Sequence, residues 1–587
     1  MPLSPISFNH VKIDSPFWNP RLDTACKVTV RACLDRCEET ERLLNFRRAA
    51  GLADGEHKGL CYDDSDVYKV LEGAAYDIAS APDPELEARV DGIIADICAA
   101  QEPSGYINTY YTLRHPDDKW TDMDKHEAYC IGHMVEAGVA YHQATGKDAL
   151  LRCAERAVRH MMDIFGPGKR SWICGHQELE LALVKLARHT GEQAYFDFAR
   201  WLIHQRGHST MQARSLDTGH FDFAYYMDAI PATELKKVTG HAVRAMYYFT
   251  AMADIDAVTG EGEFSAALDA LWSDIYPANT YITGGIGQQA RNEGFTHEYH
   301  KPNLTAYCET CAAIGMALWN HRLNLAKSDA KYADLVETEM YNGILSGIGL
   351  SGDRYFYENP LASVGTHHRS RWFGTSCCPS NLARFIPSVG GYCYALADDA
   401  LIVNQYIGST LTLDDGTHAL DVSVATEYPW DGRITIDVRR AEGVSALKLR
   451  IPGWCRAYAV SCGASDAENG YITVPAAAGD CIVLTLDMPI DRVYEDPRVR
   501  ETARRVCIRR GPVVYCAEET DNLDLGLCTE YFHAEASLSR SAPLWLGEPD
   551  PKLLNAPAIE SDTLRLIPYS LWDNREPGAM VVWLKET

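Results

Sequence analysis

Residues 126–165 read HEAYCIGHMVEAGVAYHQATGKDALLRCAERAVRHMMDIF, two stretches of helical periodicity that meet at Ala144-Thr145-Gly146-Lys147. On both sides of that turn, apolar residues recur at i, i+3, i+4 and i+7, as on one face of a helix. Gly146 can take the left-handed conformation that ends one helix, and the next helix begins at once. The stretch therefore predicts a helical hairpin with a short turn.

The same turn recurs along the first two thirds of the chain. His189-Thr190-Gly191-Glu192 separates predicted helices 176–190 and 192–204, and Val258-Thr259-Gly260-Glu261 separates 239–259 and 261–276. Further predicted helices cover 20–45, 65–80, 85–101, 307–325, 329–346 and 381–397. Together with 126–145 and 147–165 they make twelve helices, or six hairpins, which predicts an (α/α)6 barrel. A superhelical solenoid is the alternative, although solenoid repeats are more uniform in length.

After about Leu401 the periodicity changes to two, which is typical of strands. Examples are Leu401–Tyr406, Ile434–Val438 and Leu447–Ile451. We expect a multidomain α+β fold in which one or two antiparallel β-sandwich domains follow the barrel. The predicted units are an N-terminal strand segment at 1–13, the barrel at 14–398, a β-sandwich at 399–500, and a second β-sandwich or extension at 501–587.

The amino-acid composition indicates which kinds of molecule the protein can bind. The net charge of -26 argues against nucleic acid and anionic membranes, and favours a small neutral substrate. The start, Met1-Pro2-Leu3-Ser4-Pro5, has no secretory pattern, and no apolar run reaches the roughly 20 residues of a membrane span. We expect a soluble, cytoplasmic protein whose nineteen cysteines are mostly buried thiols rather than disulfides.

Polar residues lie where alternate helices of the predicted barrel begin. They are Asp64 and Asp66, His126, His176, His241, Glu309, and the pair Cys377-Cys378. Each has a simpler explanation on its own, because aspartate is a good helix N-cap and a single histidine is usually structural. Their spacing of about one hairpin nevertheless predicts a functional cavity at one end of the barrel. Glu293 follows a glycine-rich segment, Thr283–Gly287, that lacks the Lys-Ser/Thr of a phosphate-binding loop.

Two cysteine-containing segments, 306–311 and 375–379, indicate a zinc site, since zinc favours four sulfur, nitrogen or oxygen ligands. Spacing alone allows a four-cysteine site of Cys308, Cys311, Cys377 and Cys378. The rival set replaces Cys308 with Glu309, and it requires an irregular helix start because residues i and i+2 of a helix point apart. Four buried thiols without a metal are the third alternative.

Several of these segments resemble glycoside hydrolase family 127, whose best-known activity is β-L-arabinofuranosidase. The likeness lies in Asp64–Lys69, His126–Tyr129, Gly175–Glu178, Gly240–Arg244, Gly284–Phe295, Glu309–Cys311, Trp372–Gly374, Cys377–Pro379, Ile451–Trp454 and Arg510–Pro512. The resemblance implies Zn²⁺ held by Glu309, Cys311, Cys377 and Cys378, with Cys377 as nucleophile and Glu293 as general acid/base. It also implies sugar contacts from His126, His176, His241 and Tyr357, to which we add Asp66. Cys308 departs from the small residue expected there.

The resulting expectation is a retaining glycoside hydrolase that releases L-arabinofuranose from β-L-arabinofuranosides. Three alternatives stay open at this point: a hydrolase of another branched or acidic pectic sugar, a zinc-independent lyase or epimerase on the same barrel, and a non-hydrolytic sugar-binding protein with a structural zinc. The partner would be a small neutral glycoside or oligosaccharide, and a homodimer is one of the assemblies that the β-domains allow.

Overall fold

The computed structural model describes residues 3–219, 221–397, 399–523, 531–532, 537–541 and 556–586. In chain order the α-helices are α1 (Asn19–Thr24), α2 (Val30–Glu39), α3 (Arg42–Ala49), α4 (Asp64–Ser80), α5 (Pro84–Ala100), α6 (Thr109–Arg114), α7 (Glu127–Thr145), α8 (Ala149–Ile164), α9 (Leu179–Thr190), α10 (Gln193–Gln205), α11 (Arg214–Asp217), α12 (Ala242–Thr259), α13 (Ser265–Ile275), α14 (Thr310–Lys327), α15 (Ala330–Thr338) and α16 (Cys377–Phe385).

Six of these helices form a closed inner ring within the described residues. Helices α4, α7, α9, α12, α14 and α16 each contact the next, and α16 returns to contact α4. The outer helices α5, α8, α10, α13 and α15 each pack on the inner helix that precedes them, and α2 packs on α4 and α16. Closure confirms the predicted (α/α)6 barrel and excludes the solenoid, whose ends do not meet.

The helices of the inner ring are more completely buried than those of the outer ring. Along α12 every residue from Ala242 to Ile255 is buried, whereas α8 buries only one face and leaves its charged face in solvent. This is the difference expected between a helix surrounded by others and an amphipathic surface helix. The predicted turn glycines Gly146, Gly191 and Gly260 all have left-handed φ values, of 75°, 76° and 65°. They end α7, α9 and α12 as expected.

Two of the predicted helices differ from the structure. The stretch 20–45 is broken at Glu41, whose φ of 63° separates α2 from α3. The predicted helix 381–397 instead begins at Cys377, continues as a 3₁₀ segment over Ile386–Tyr392, and gives way to a strand at Tyr394–Ala397. That strand pairs with Ala400–Val403, so the ladder overrides the helical pattern. Asp398, the predicted end of the barrel, lies outside the described residues.

The strands are β1 (Ser4–Pro5), β2 (Val11–Ile13), β3 (Ala362–Val364), β4 (Tyr394–Ala397), β5 (Ala400–Val403), β6 (Ser409–Asp414), β7 (Ala419–Thr426), β8 (Arg433–Glu442), β9 (Ala446–Arg450), β10 (Tyr458–Val460), β11 (Tyr471–Pro475), β12 (Cys481–Leu486), β13 (Ile490–Val493), β14 (Arg505–Arg510), β15 (Val513–Glu518), β16 (Tyr531–Phe532), β17 (Ser539–Ser541), β18 (Ala558–Glu560), β19 (Arg565–Pro568), β20 (Ala579–Val581) and β21 (Leu584–Glu586). They confirm that β-sheet domains follow the helical barrel.

Three sheets contain these strands. The first has the order β1-β4-β5-β9-β11 and the second β10-β12-β8-β7-β6-β2, so the N-terminal segment adds one strand to each. The third sheet has ten strands, and it includes β13 and, from the barrel, β3. Pairing is antiparallel except between β5 and β9 and between β16 and β21. Because β13 pairs with β14, we propose a boundary between the two β-domains near residue 490.

A buried ionic cluster joins the middle domain to the barrel. Arg450 at the end of β9 is fully buried and is salt-bridged to Asp334 and Glu337 of α15. Trp454 Nε1 donates to Glu337 Oε2 at 3.0 Å. A buried charge is tolerated only when it is paired and hydrogen-bonded, so this contact fixes the β-domain against the outer ring.

The structure also bears on the expected absence of membrane spans and on the state of the cysteines. Among the described helices, none is both long and apolar enough to cross a bilayer. Cysteines in the described part of the chain are all free thiols, in agreement with the absence of a disulfide framework.

Helix α16 approaches α4 closely at Gly73, where the inner ring closes. A Cβ built on Gly73 would lie 2.2 Å from the backbone oxygen of Ala383. Gly73→Ala should therefore lower the thermal unfolding midpoint, because overpacking a core costs about 1–3 kcal/mol. Gly92→Ala, on the exposed face of α5 with nothing within 4 Å, is the matched control. It should raise the midpoint slightly, by about 0.4–1 kcal/mol of stability. Equal midpoints for the two variants would contradict the close packing of α4 on α16.

Candidate active site

A cavity of about 170 Å³ opens at the end of the barrel where the inner helices begin. Its lining comes from five of those six helix starts and from the loops before them. The lining residues are Tyr62, Ser65, Asp66, His126, Tyr129, His176, His241, Val243, Arg244, Glu293, Glu309, Cys311, Tyr357, Thr375, Ser376, Cys377 and Asn381. Nearly all the residues predicted from the sequence are therefore brought to one place, and Cys378 lies directly behind Cys377.

The predicted spacing of one hairpin corresponds to real helix starts. His126, His241 and Glu309 are the N-cap residues of α7, α12 and α14, and Cys377 is the first residue of α16. His176 lies three residues before α9. Asp64 is an exception, because its carboxylate faces Thr109 and accepts from that residue's amide at 2.8 Å and hydroxyl at 2.6 Å. Asp64 is thus a structural residue, but it is not the N-cap of its own helix: that position is Asp63, and the Asp64 carboxylate binds the first residue of α6 instead.

Hydrogen bonds to the backbone set the tautomers of the three histidines. His126 Nδ1 donates to the Asp124 carbonyl at 2.6 Å, and His176 Nδ1 donates to the Gln177 carbonyl at 2.9 Å. His241 differs, because its Nδ1 accepts from the amides of Val243 and Arg244 at 3.1 and 3.4 Å. A neutral ring carries one proton, so His126 and His176 present an accepting Nε2 while His241 presents an Nε2–H donor.

Burial keeps these rings neutral. It lowers the pKa of His126 to about 4, with the nearby Arg244 guanidinium contributing in the same direction. Burial is also the main cause that lowers the pKa of His176 well below its usual range and lowers that of His241. Desolvation disfavours the charged form of a histidine, so at neutral pH the cavity offers uncharged donors and acceptors suited to sugar hydroxyls.

Glu293 is carried into the cavity by a strained turn. Its φ is 48°, and its carbonyl accepts from the Ala242 amide at 3.0 Å. The next residue must be glycine, because a Cβ on Gly294 would lie 1.9 Å from the Gly240 oxygen. These contacts fasten the loop to the start of α12 and place the Glu293 carboxylate beside His241.

Two donors hold the carboxylate of Glu293. His241 Nε2 lies 2.9 Å from Oε2, and the Tyr307 hydroxyl donates to Oε1 at 3.0 Å. Burial raises the pKa of Glu293, but the hydrogen bonds from His241 and Tyr307, together with the nearby Arg244 guanidinium, outweigh it and lower the pKa below its usual value. Glu293 is therefore ionised while the cavity contains no ligand.

Glu309, Cys311, Cys377 and Cys378 form a compact cluster. One ligand atom from each lies within 4.8 Å of all the others. The Cys311 and Cys378 sulfurs are 3.4 Å apart, the Cys377 and Cys378 sulfurs are 4.0 Å apart, and Glu309 Oε1 lies 3.5 and 3.7 Å from the sulfurs of Cys377 and Cys378. In a tetrahedron with zinc–ligand bonds of 2.0–2.3 Å, the sulfur–oxygen and sulfur–sulfur edges would be about 3.5–3.8 Å. The side chains thus fit a zinc ion.

Electrostatics independently favours a cation in this cluster. Glu309 Oε2 is buried and has no hydrogen-bond partner among the described residues. Burial, followed by the negative charge of Cys377 and Glu293, raises the pKa of Glu309 well above its usual range. Four acidic groups this close cannot all ionise unless a positive charge lies between them.

The backbone selects Glu309 rather than Cys308 for the cluster. Cys308 has a φ of 38° and Glu309 is non-helical, so the irregular helix start that the second ligand set required is present. The Cys308 sulfur lies under Gly285, 2.9 Å from where a Cβ there would be, and outside the four-residue cluster. The geometry therefore favours the ligand set that contains Glu309 over the four-cysteine set.

Two tyrosines connect the cluster to the carboxylate. The Tyr357 hydroxyl lies 3.2 Å from the Cys377 sulfur, while the Tyr307 hydroxyl binds Glu293. Their ring centroids are 6.2 Å apart. The predicted nucleophile and the predicted acid/base thus line the same small cavity, and each is held by its own phenol.

Asp66 lies at the cavity wall, but its oxygens already have partners. Oδ2 accepts from Arg42 Nε at 3.2 Å and Oδ1 accepts from the Ser380 hydroxyl at 3.1 Å. Direct contact between Asp66 and a sugar stays a prediction, as do the catalytic, metal-binding and sugar-binding roles of the other residues.

Several lining residues were not predicted from the sequence. Arg244 contacts Asp124 at 3.1 Å and the Gly175 carbonyl, and the Tyr62 hydroxyl lies 2.9 Å from Thr375 Oγ1. Arg244 and Tyr307 lie inside segments that the sequence had singled out, next to His241 and Glu309. Tyr62 and Asn381 had no comparable signal, because only the closure of the ring brings them together.

Comparison with known proteins agrees along the whole chain. The model of the β-L-arabinofuranosidase GH127 catalytic domain matches residues 10–391, that of the GH127 middle domain 400–490, and that of the GH127 C-terminal domain 490–585. The non-reducing end β-L-arabinofuranosidase of Bifidobacterium longum subsp. longum is 33% identical over an alignment of 669 residues, which covers 98% of this chain and 99% of that protein.

Two solved structures are also similar to this chain in fold and in sequence. A GH127 β-arabinofuranosidase superposes with a TM-score of 0.92 at 36% identity, covering 100% of this chain and 98% of that one. A GH127 β-L-arabinofuranosidase from Geobacillus stearothermophilus T6 gives a TM-score of 0.90 at 35% identity, covering 98% of this chain and 100% of that one.

The cluster predicts which variants lose metal. Purified protein should contain one zinc per chain by elemental mass spectrometry. Cys311→Ser and Glu309→Gln should weaken zinc retention against a chelator at least about tenfold, since even outer-shell partners of metal ligands cost that much. Cys308→Ser is the matched control and should retain zinc like the parent. Loss of zinc from Cys308→Ser with retention in Glu309→Gln would instead restore the four-cysteine site.

Proposed function

This chain belongs to glycoside hydrolase family 127 and is a glycoside hydrolase, and we propose that it releases L-arabinofuranose from the non-reducing ends of β-L-arabinofuranosides with retention of configuration. The observation that carries this proposal is the placement of Cys377 and Glu293 in one cavity of about 170 Å³. A retaining glycosidase needs a nucleophile and an acid/base on either side of one anomeric carbon. Here the second carboxylate of the usual pair is replaced by a thiol.

The proposed cofactor is Zn²⁺, held by Glu309, Cys311, Cys377 and Cys378. When bound, zinc would keep its coordinated thiols deprotonated, so that Cys377 is a thiolate at neutral pH. The neighbouring residues act on that sulfur directly. The Tyr357 hydroxyl, 3.2 Å from the Cys377 sulfur, donates a hydrogen bond that orients the sulfur toward the cavity. Membership of the family also sets aside the lyase, epimerase and non-hydrolytic alternatives.

Sugar binding would use the three neutral histidines. Hydroxyl groups of the sugar donate to Nε2 of His126 and His176, and one hydroxyl accepts from Nε2–H of His241. Arg244, the cation in the described lining, is paired with Asp124 at 3.1 Å and leaves no net positive charge facing the sugar. A neutral sugar therefore suits this cavity better than an acidic one.

Binding would also prepare Glu293 as an acid. Once a sugar hydroxyl takes the His241 hydrogen bond, Glu293 loses one of the two donors that lower its pKa, while its burial increases. Both changes raise the pKa of the carboxyl group, so it can take up the proton that it then gives to the departing oxygen. The free and the occupied cavity thus favour opposite protonation states of Glu293.

Hydrolysis would then proceed in two displacements. The Cys377 sulfur attacks the anomeric carbon, and the bond to the leaving oxygen breaks as Glu293 protonates it, which gives a cysteine-linked sugar. Glu293, now a carboxylate, removes a proton from water, and the water oxygen displaces the sulfur. Two inversions give net retention.

The cytoplasmic location and the homodimer stay predictions.

Cys377→Ser should abolish turnover while leaving the barrel folded, because a serine hydroxyl in this position is a far weaker nucleophile than a thiolate. The assay is release of aryl alcohol from aryl β-L-arabinofuranosides, with circular dichroism as the folding check. Proton NMR of the first product formed by the parent should show the β-anomer. Normal turnover by the variant would remove the nucleophile assignment, and an α-anomer as first product would remove the double displacement.

Glu293→Gln should discriminate between leaving groups. Poor leaving groups, which need protonation, should be slowed about 10²–10⁴-fold, the usual contribution of general acid catalysis. Activated nitrophenyl glycosides should be slowed much less in the cleavage step, measured as the pre-steady-state burst. If both substrates were slowed equally in that step, Glu293 would not be the acid.

A further inference from the structure

A second, larger cavity lies at the opposite end of the barrel. Its volume is about 440 Å³, within the range of ligand pockets, and no described residue lines both cavities. All six inner helices contribute residues to its lining, and the N-terminal segment Pro5–Phe8 lies along one side. Arg384 forms part of its floor, and the Nε of that residue donates at 2.6 Å to Asn381, which lines the active-site cavity.

One wall of this cavity carries ion pairs that share carboxylates. Asp254 accepts from Arg188 Nη1 at 2.9 Å and from Arg322 Nε at 3.1 Å. Burial raises the pKa of Asp254, but these two guanidinium groups lower it below its usual range, so the carboxylate is ionised. Two cations on one anion leave a surplus positive charge at this point.

The adjoining groups balance each other. Glu72 is bound by Arg384 at 2.9 Å and lies 3.6 Å from Lys185, which also binds Glu136. Among the described acidic and basic residues of the lining, four are cations (Lys185, Arg188, Arg322 and Arg384) and three are anions (Glu72, Glu136 and Asp254). The surplus of one positive charge is therefore localised at Arg188 and Arg322, in a chain whose net charge is -26.

Helix dipoles alone do not explain this arrangement. The C-terminal ends of helices attract cations, which would account for the basic residues. That effect is confined to the last turn, whereas Glu72 and Glu136 lie at the middle of α4 and α7 and Asp254 lies more than one turn before the end of α12. A set of fixed donors and acceptors at a cavity wall is what recognition of a polyhydroxylated molecule requires.

An aromatic wall adjoins the charged one, and the Tyr76 hydroxyl donates to Glu72 Oε1 at 2.7 Å. Phe8 meets the edge of Tyr76 with ring centroids 4.6 Å apart, and Tyr392 packs on Phe385 at 5.2 Å and on His321 at 4.8 Å. Rings of this kind offer an apolar surface to the C–H face of a sugar, while the charged wall offers partners for its hydroxyl groups. An inorganic anion would use neither the aromatic wall nor the carboxylates.

We propose that this cavity is a second carbohydrate site, which binds a monosaccharide carrying one carboxylate, that is, a sugar acid. The carboxylate pairs with Arg188 and Arg322, whose guanidinium groups match a carboxylate in shape and charge. The hydroxyl groups of the sugar bind Glu72, Glu136 and Lys185. This site is independent of the active-site chemistry, and its failure would leave the hydrolase assignment untouched.

The test is isothermal titration of the full-length zinc-loaded enzyme with D-glucuronate, and with D-glucose as the matched neutral sugar. Glucuronate should bind with one site per chain and at least about tenfold more tightly than glucose, because its carboxylate would meet two guanidinium groups that share the single negative charge of Asp254. Arg188→Gln should weaken glucuronate binding by about tenfold or more without changing glycosidase activity. Arg200→Gln, which removes the same charge on the outer helix α10, is the control and should bind like the parent.

Several outcomes would overturn the proposal. They are the absence of a binding signal for glucuronate, equal affinity in the parent and in Arg188→Gln, and equal affinity for glucuronate and inorganic sulfate. Competitive inhibition of aryl glycoside hydrolysis by glucuronate, unchanged in Arg188→Gln, would place the sugar acid in the active-site cavity instead. Retention of glucuronate binding in Cys377→Ser would support the proposed site.

Discussion

Four acidic side chains lie within 4.8 Å of one another where α14 and α16 begin, and their mutual repulsion is the constraint on which the active-site end of the barrel depends. Like charges at this distance, away from water, would force most of the groups to stay protonated. A divalent cation removes that conflict, and the spacing of the oxygen and sulfur atoms suits tetrahedral zinc. The cluster also joins two helices that are distant in sequence, at the point where the last inner helix closes on the ring. Metal binding and ring closure are therefore coupled by geometry.

The rest of the cavity is built to be uncharged toward a sugar. Backbone carbonyls and amides set the protonated nitrogen of His126, His176 and His241, and burial keeps all three rings neutral. The charges that remain are each held by a partner, Arg244 by Asp124 and Glu293 by His241 and Tyr307. Because a sugar could take over the hydrogen bond that His241 gives to Glu293, occupancy of the cavity and protonation of Glu293 would be linked in the proposed mechanism.

The two ends of the barrel use the same helices in different ways. At the N-terminal ends, N-cap residues and loops supply the chemistry, since free backbone amides and irregular backbone allow side chains to point inward. At the opposite end the charged side chains come from regular helix, and shared carboxylates such as Asp254 and Glu72 each hold two cations. Arg384 lines one cavity and Asn381 the other, and the two side chains are hydrogen-bonded to each other at 2.6 Å.

The sequence by itself determined the helical hairpins, the change to strands near residue 400, and the residue types that begin alternate helices. These features depend on local rules: left-handed turn glycines such as Gly146, periodicity, and N-cap preference. Only the tertiary structure decided that the hairpins close into a ring, that Tyr394–Ala397 is a strand rather than helix, and that Glu309 joins the cysteine cluster while Cys308 lies beneath Gly285. It also decided that the carboxylates of Asp64 and Asp66 accept hydrogen bonds from other side chains of the protein, and that Tyr62 and Asn381 line the cavity. The reason is physical. Residues 67 or more positions apart, such as Cys311 and Cys378, meet only when the ring closes. The sequence pattern does not indicate which side chains then lie within a few ångströms of one another.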